Sequence, residues 1–148
     1  MSGKRKTEAR RWFQQSVYDL AAARWNIEGG FYDTACFLSQ QAGEKALKSF
    51  LHYLGARRSA LFIHSLAEMI EQIAKHTEVL GALLEEARAL DLHYIPARYP
   101  NGLPSSFPHH FYGKQMADDA VRAADKILTA VRDHYRERGE EELLKEGP

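Results

Sequence analysis

Between the pair Gly29-Gly30 and Gly55 lies a stretch, Phe31 to Leu54, whose apolar positions spill well beyond one helix face. Ala35, Cys36, Leu38, Ala42, Gly43, Ala46, Leu47, Phe50, Leu51 and Leu54 cannot all lie on a single narrow stripe. An ordinary surface helix buries a stripe a little over ~100° wide, so a wider one needs neighbours on several sides. The segment therefore predicts a central helix, closed by Gly55, and the rest of the chain must supply helices to cover it.

Those neighbours can be read from the helical period. A first long helix is expected from Thr7 as N-cap, with Phe13, Val17, Leu20, Ala21 and Ile27 on one face, until Gly29-Gly30 ends it. Arg24 interrupts that face, its stem lying along the apolar surface and its head reaching water or an acid. Ser65 followed by Glu68 has capping-box spacing, so a short third helix starts there. A fourth is expected from about Val79 to Ile95, stopped by Pro96. The following stretch, PARYPNGLPSSFPHHF, is too rich in prolines for regular structure and reads as a functional or mobile loop. A last helix begins near Tyr112 and runs past Tyr135, and after Gly139 an acidic tail is expected to fray. The expected architecture is all-α, a five-helix antiparallel up-and-down bundle with two long N-terminal helices, forming one domain over 1–138 with a tail at 139–148.

Charge and cysteine usage narrow the function. Net charge is zero, which argues against a general grip on nucleic acid. The balance is uneven: residues 1–60 carry ten Lys/Arg against five Asp/Glu, and residues 61–148 carry ten against fifteen. Such a dipolar chain can present a local anion-binding face or bind its own copy; alternatively the charges are only solvated helix faces. Cys36 stands alone, so no intrachain disulfide or multi-cysteine metal site is expected, and the chain reads as a reduced, cytoplasmic protein without a membrane span. His109-His110 lack a fixed carboxylate neighbour in the sequence, so neither metal nor cofactor is expected.

The polar residues of the central helix are the most informative: Gln40, Gln41, Glu44, Lys45 and Lys48. Glu44 and Lys48 stand four apart in the favourable order, and Gln41 lies one turn from Glu44 and Lys45. They form either a solvated face with a weak ion pair or, with Arg57 and Arg58, a phosphate-binding surface. Arg98 and Tyr99, in a proline-fixed turn, offer a guanidinium and a phenol that can grip a phosphate or stack on a base. The plainer alternative is that Arg98 pairs with Asp91 or Asp119 and Tyr99 plugs the end of the bundle.

The stretch ACFLSQQAGEKALKSFLHYLG, followed by IHSL and later by YIPARYP, resembles the bacterial and archaeal HEPN family. The resemblance rests on Gln40 to Lys48, His64 to Leu66 and Arg98 to Pro100, in that order, and spans roughly residues 8–135. It implies a five-helix bundle, often dimeric and frequently encoded beside a minimal nucleotidyltransferase in two-component systems. Many relatives are metal-independent ribonucleases with an Arg-x(4–6)-His motif near the dimer interface; others only bind or scaffold. Arg58-x5-His64, Arg57-x6-His64 and Arg88-x4-His93 fit that spacing. Arg88 and His93, five apart on a helix, would point roughly 140° away from each other. The other two pairs lie between the second and third helices, whereas the family motif belongs towards the C-terminal helices.

Three functions follow. The first is a nucleotide-binding or interaction module, using Gln41, Glu44, Lys45, Lys48, Arg98 and Tyr99 and working with a nucleotidyltransferase partner in a toxin–antitoxin-like pair. The second is a metal-independent ribonuclease with His64 as base and Arg58 or Arg98 stabilising charge on the phosphate. The third is an oligomeric structural protein in which Lys45, Lys48 and Glu44 serve only salt bridges. In each a homodimer is expected, because Trp12, Trp25 and Phe107 fall outside the apolar stripes.

Overall fold

The computed structural model describes residues 3–146. Two long helices, α1 (Gly3–Glu28) and α2 (Tyr32–Leu54), form an antiparallel hairpin, and α3 (Leu66–Ala74), α4 (Leu84–Asp91), α5 (Pro108–Phe111) and α6 (Lys114–Glu137) follow. No strand occurs among the described residues, and no helix among them is long and apolar enough to cross a membrane. The result is an all-α bundle.

The hairpin turn is made possible by Gly30, whose φ of 81° lies in the left-handed region, and Gly55 closes α2 in the same way at φ 71°. The central position expected of α2 is realised: α1, α3, α4, α5 and α6 all pack against it. Gly43 shows how tightly. A Cβ built there would lie 2.6 Å from Leu66 Cδ2, 3.2 Å from Leu90 Cδ1 and 3.6 Å from Ile127 Cδ1. The missing side chain lets α3, α4 and α6 meet α2 at one point. At the far end, the buried Ser49 hydroxyl donates to the Ala9 carbonyl at 2.6 Å and lies 2.8 Å from the Tyr135 phenol, joining α1, α2 and α6.

Four elements differ from expectation. Helix α1 starts at Gly3, and Thr7 sits inside it, its hydroxyl donating to the Gly3 carbonyl. Lys and Arg at positions 4–6 are good helix formers, so nothing stops the helix before Thr7. The fourth helix is shorter than 79–95: a 3-10 turn at Gly81–Leu83 leads into α4, which ends at Asp91. Asp91 turns its carboxylate onto the start of α3, where it accepts from Ser65 Oγ at 2.8 Å, Leu66 N at 2.7 Å and Ala67 N at 3.2 Å. The Ser65 cap itself is present, its oxygen accepting from Glu68 N. The proline-rich stretch contains the single-turn helix α5, which docks on the start of α2 as His109 Nδ1 faces Asp33 Oδ1 at 3.2 Å.

The acidic tail is the fourth difference, since its described part is ordered against α1. Glu141–Leu144 form a 3-10 turn with Leu143 only 2% exposed, and Glu140 pairs with Lys6.

Three partly or largely buried imidazoles, His52, His93 and His134, are held below their ordinary value, in each case chiefly by burial. Arg138 adds to the effect at His134. The unfolded chain therefore binds more protons than the native one between the unfolded value, about 6.5, and the lower native values. Their contribution to stability is full above pH ~6.5 and declines as the pH falls below it. Urea midpoints should drop from pH 7 towards pH 5, with a shallower drop in His93→Gln. Equal slopes for the two proteins would remove His93 from this account.

Candidate functional site

The polar residues of α2 are buried rather than solvated. Gln40 is fully buried, and the Glu44 and Lys48 side chains are only 6% and 7% exposed. They form a hydrogen-bonded chain: Gln41 Nε2 donates to Gln40 Oε1 at 2.7 Å, and Gln40 Nε2 to Glu44 Oε1 at 3.2 Å. Lys48 Nζ then donates to Glu44 Oε2 at 3.3 Å. The weak surface pair is thus a buried one, where desolvation makes an unpaired partner costly. Lys48 also lies over the Trp12 ring, 5.3 Å from its centroid. Lys45 is held by Asp19 of α1, whose other oxygen accepts from Gln15 Nε2. Both lysines expected to face a phosphate therefore already face carboxylates.

The chain reaches the surface at His64, whose Nδ1 lies 3.6 Å from Glu44 Oε1. The imidazole is 58% exposed and stacks on Tyr94, with ring centroids 5.5 Å apart and planes 18° from parallel. Tyr94 is shared, because the Arg98 guanidinium stands 4.8 Å from the same ring centre. Arg98 is further enclosed by Phe37 at 4.4 Å and Tyr99 at 5.1 Å, and its Nε donates to the Tyr94 carbonyl. Neither carboxylate expected for it is its partner. Asp91 caps α3, and Asp119 accepts from Gln115 and Arg122. Among the described residues, no carboxylate lies within ion-pair distance of Arg98. The aromatic cage replaces an acid, so the cation keeps its capacity for an incoming anion.

Of the expected site residues, Gln41, Glu44, Lys48, His64, Arg98 and Tyr99 thus fall on one continuous path, with Lys45 beside it. Arg58 does not join it. Its guanidinium lies over Phe62, 5.9 Å from the ring centre, on the 3-10 turn Arg58–Phe62. His93 turns away as well, its Nδ1 lying 3.0 Å from the Tyr112 phenol. Asp19, Phe37 and Tyr94 join the site without having been expected there. Neither Asp19 nor Phe37 carries a signal in the sequence: on the helical period Asp19 falls about 100° from Leu20, off the expected apolar face of the first helix.

A model of the HEPN domain matches residues 9–134. The chain belongs to the HEPN domain family. It is 28% identical over 138 residues to a Methanocaldococcus jannaschii protein described as "Putative toxin MJ1304", covering 88% of this chain and 90% of that one. Among solved structures it resembles TT1696 from Thermus thermophilus, with 33% identity and a TM-score of 0.79 over 85% of this chain and 97% of the other. A similar match is ST0689, described as an archaeal HEPN homologue, with 33% identity and a TM-score of 0.72 over 86% and 97% of the two chains. The Gln-Gln-Ala-Gly-Glu-Lys segment supplies Gln40, Gln41 and Glu44 of the buried polar chain behind His64, and the Arg-Tyr-Pro turn supplies Arg98 and one of its three rings, Tyr99.

Proposed function

We propose that this chain is a toxin-type HEPN protein that binds a nucleotide or short RNA at the face centred on Tyr94. A separately encoded minimal nucleotidyltransferase is its partner in this reading. The observation that carries it is Arg98, a guanidinium without a carboxylate partner among the described residues, caged by rings and flanked by the exposed rings of Tyr99 and His64. A phosphate meets the cation and a base meets a ring, the two interactions that single-stranded nucleic acid offers. The ion-paired Lys45 and Lys48 then brace α2 behind this face, with Gln41 and Glu44 fixing the orientation of His64. The toxin description of the archaeal relative supports the two-component setting. A homodimer, with Trp25 and Phe107 in or near its contact surface, belongs to the same proposal.

A second reading, metal-independent RNA cleavage, is favoured by one further observation. His64 stands beside a buried carboxylate, an arrangement that can orient an imidazole as a base. Arg98 then stabilises the charge gathering on the phosphoryl oxygens.

Titration with ATP, GTP and a short RNA, alongside cleavage assays in chelator, tests both. Arg98→Ala should weaken binding about tenfold or more, the worth of one or two charge-assisted hydrogen bonds. Arg98→Lys should recover only part of it, because an ammonium lacks the planar fork. Unaltered affinity in Arg98→Ala would remove this face from the site. Cleavage that His64→Ala abolishes would establish the second reading over simple binding.

A further inference from the structure

We propose that the groove between α1 and the Arg58–Phe62 turn docks an acidic peptide segment of a partner protein. The groove holds about 1060 Å³ and is lined by residues of α1, by Lys45 and His52 of α2, by Leu61 and Phe62 of the turn, and by Glu146. Its occupant is indicated by what α1 already binds. Lys6, Arg10, Gln14 and Tyr18 recur every fourth residue and so form one stripe. Each engages the chain's own C-terminal segment. Lys6 pairs with Glu140, Arg10 Nε donates to the Lys145 carbonyl at 2.8 Å, and Gln14 Nε2 donates to the Leu143 carbonyl at 3.4 Å. The Tyr18 hydroxyl donates to the Glu146 carboxylate. An acidic, leucine-bearing segment is thus held by side-chain bonds to its carbonyls and carboxylates, with Leu143 as the buried anchor.

That segment reaches the groove at Glu146, one of its lining residues. The remaining lining adds Trp12 stacked on His52, Phe62 at 67% exposure, and the cations Arg10, Arg11 and Lys45, each of which already makes one polar contact. A nucleic-acid backbone is a poor match. Arg11 and Lys45 each share a carboxylate, Glu8 and Asp19, and Glu8 and Glu146 face the groove themselves. The small surplus of positive charge cannot neutralise a run of phosphates. It does suit a peptide with one or two carboxylates and an aromatic or aliphatic anchor that fills the space against Trp12 and Phe62.

The chain has two tryptophans, so Trp25→Phe leaves Trp12 as the sole indole reporter. This variant is titrated with the blocked peptide Gln-Glu-Leu-Phe-Glu-Gln, with its Lys-for-Glu counterpart, and with a short single-stranded RNA. The acidic peptide should change Trp12 emission saturably. The basic peptide should bind at least about tenfold more weakly, and Phe62→Ala and Arg11→Glu should each cost a similar factor. Both positions are exposed, so unchanged far-ultraviolet circular dichroism is expected for both variants. Equal binding of the two peptides, no emission change, unaffected affinity in both variants, or a response to RNA alone would overturn the proposal. Arg98→Ala should leave peptide binding intact, which separates this groove from the Tyr94 face.

Discussion

Gly43→Val is expected to cost about 3 kcal/mol, at the upper end of overpacking penalties in well-filled cores. A midpoint about 6–12 °C lower in a thermal melt follows for a chain of this size. On helix propensity alone, replacing a mid-helix glycine should help by a fraction of a kcal/mol. The opposite sign follows from the surroundings. The new carbons would enter space occupied by Leu66, Leu90 and Ile127, all fully buried on three different helices. Relief of one neighbour drives it into another. An unchanged or raised midpoint would mean that the helices do not converge on Gly43.

The second large effect concerns Glu44 and Lys48. Either Glu44→Leu or Lys48→Met alone should cost about 3–5 kcal/mol, because each strands a desolvated charge. Glu44→Leu also deprives Gln40 of its acceptor, and leaves the Lys48 ammonium facing the Trp12 ring without its carboxylate. The double variant should recover most of the loss, since apolar groups of similar volume often replace a buried pair without penalty. Urea denaturation of all four proteins completes the cycle and isolates the coupling. Additive losses would show that the two groups are solvated and independent. Recovery of stability with loss of ligand binding would show that the buried chain is kept for the orientation of His64.

The sequence reveals elements whose cause is local and hides those whose partners are remote. Gly29-Gly30, Gly55 and the Ser65–Glu68 cap act within a turn of chain, and each stands where it is expected. The width of the α2 apolar stripe also foretells a central helix. The period cannot distinguish a 3-10 turn from the first turn of an α-helix, so the fourth helix reads too long at its start. At its end, Asp91 spends its carboxylate on α3, a tertiary contact without a signature in the sequence. The expected fraying of the tail fails for a similar reason. Its anchoring bonds come from Lys6, Arg10, Gln14 and Tyr18, which along α1 resemble an ordinary polar face.

The candidate site is legible by residue type but not by role. Glu44, Lys48, His64 and Arg98 are all visible as candidates, and they lie along one path. Whether a lysine faces solvent or a carboxylate depends on residues far away in sequence: Asp19 for Lys45, and the burial of α2 for Lys48. The Arg98 cage likewise combines Phe37 of α2 with Tyr94 and Tyr99 of the turns after α4. Arg58 fits the family spacing to His64, yet the 3-10 turn between them carries it onto Phe62. Spacing in sequence assures convergence only within a regular helix, and none connects these two residues.

The most direct test of a ligand face at Tyr94 follows the histidine ring protons by nuclear magnetic resonance while a short single-stranded RNA is added without metal. His64 is assigned by comparison with His64→Gln, and the half-buried His93 and the buried His134 serve as internal controls. A saturable shift of the His64 signals, absent in Arg98→Ala, with His93 and His134 unmoved, is the predicted result. Binding that leaves His64 unshifted, or that persists unchanged in Arg98→Ala, would contradict it.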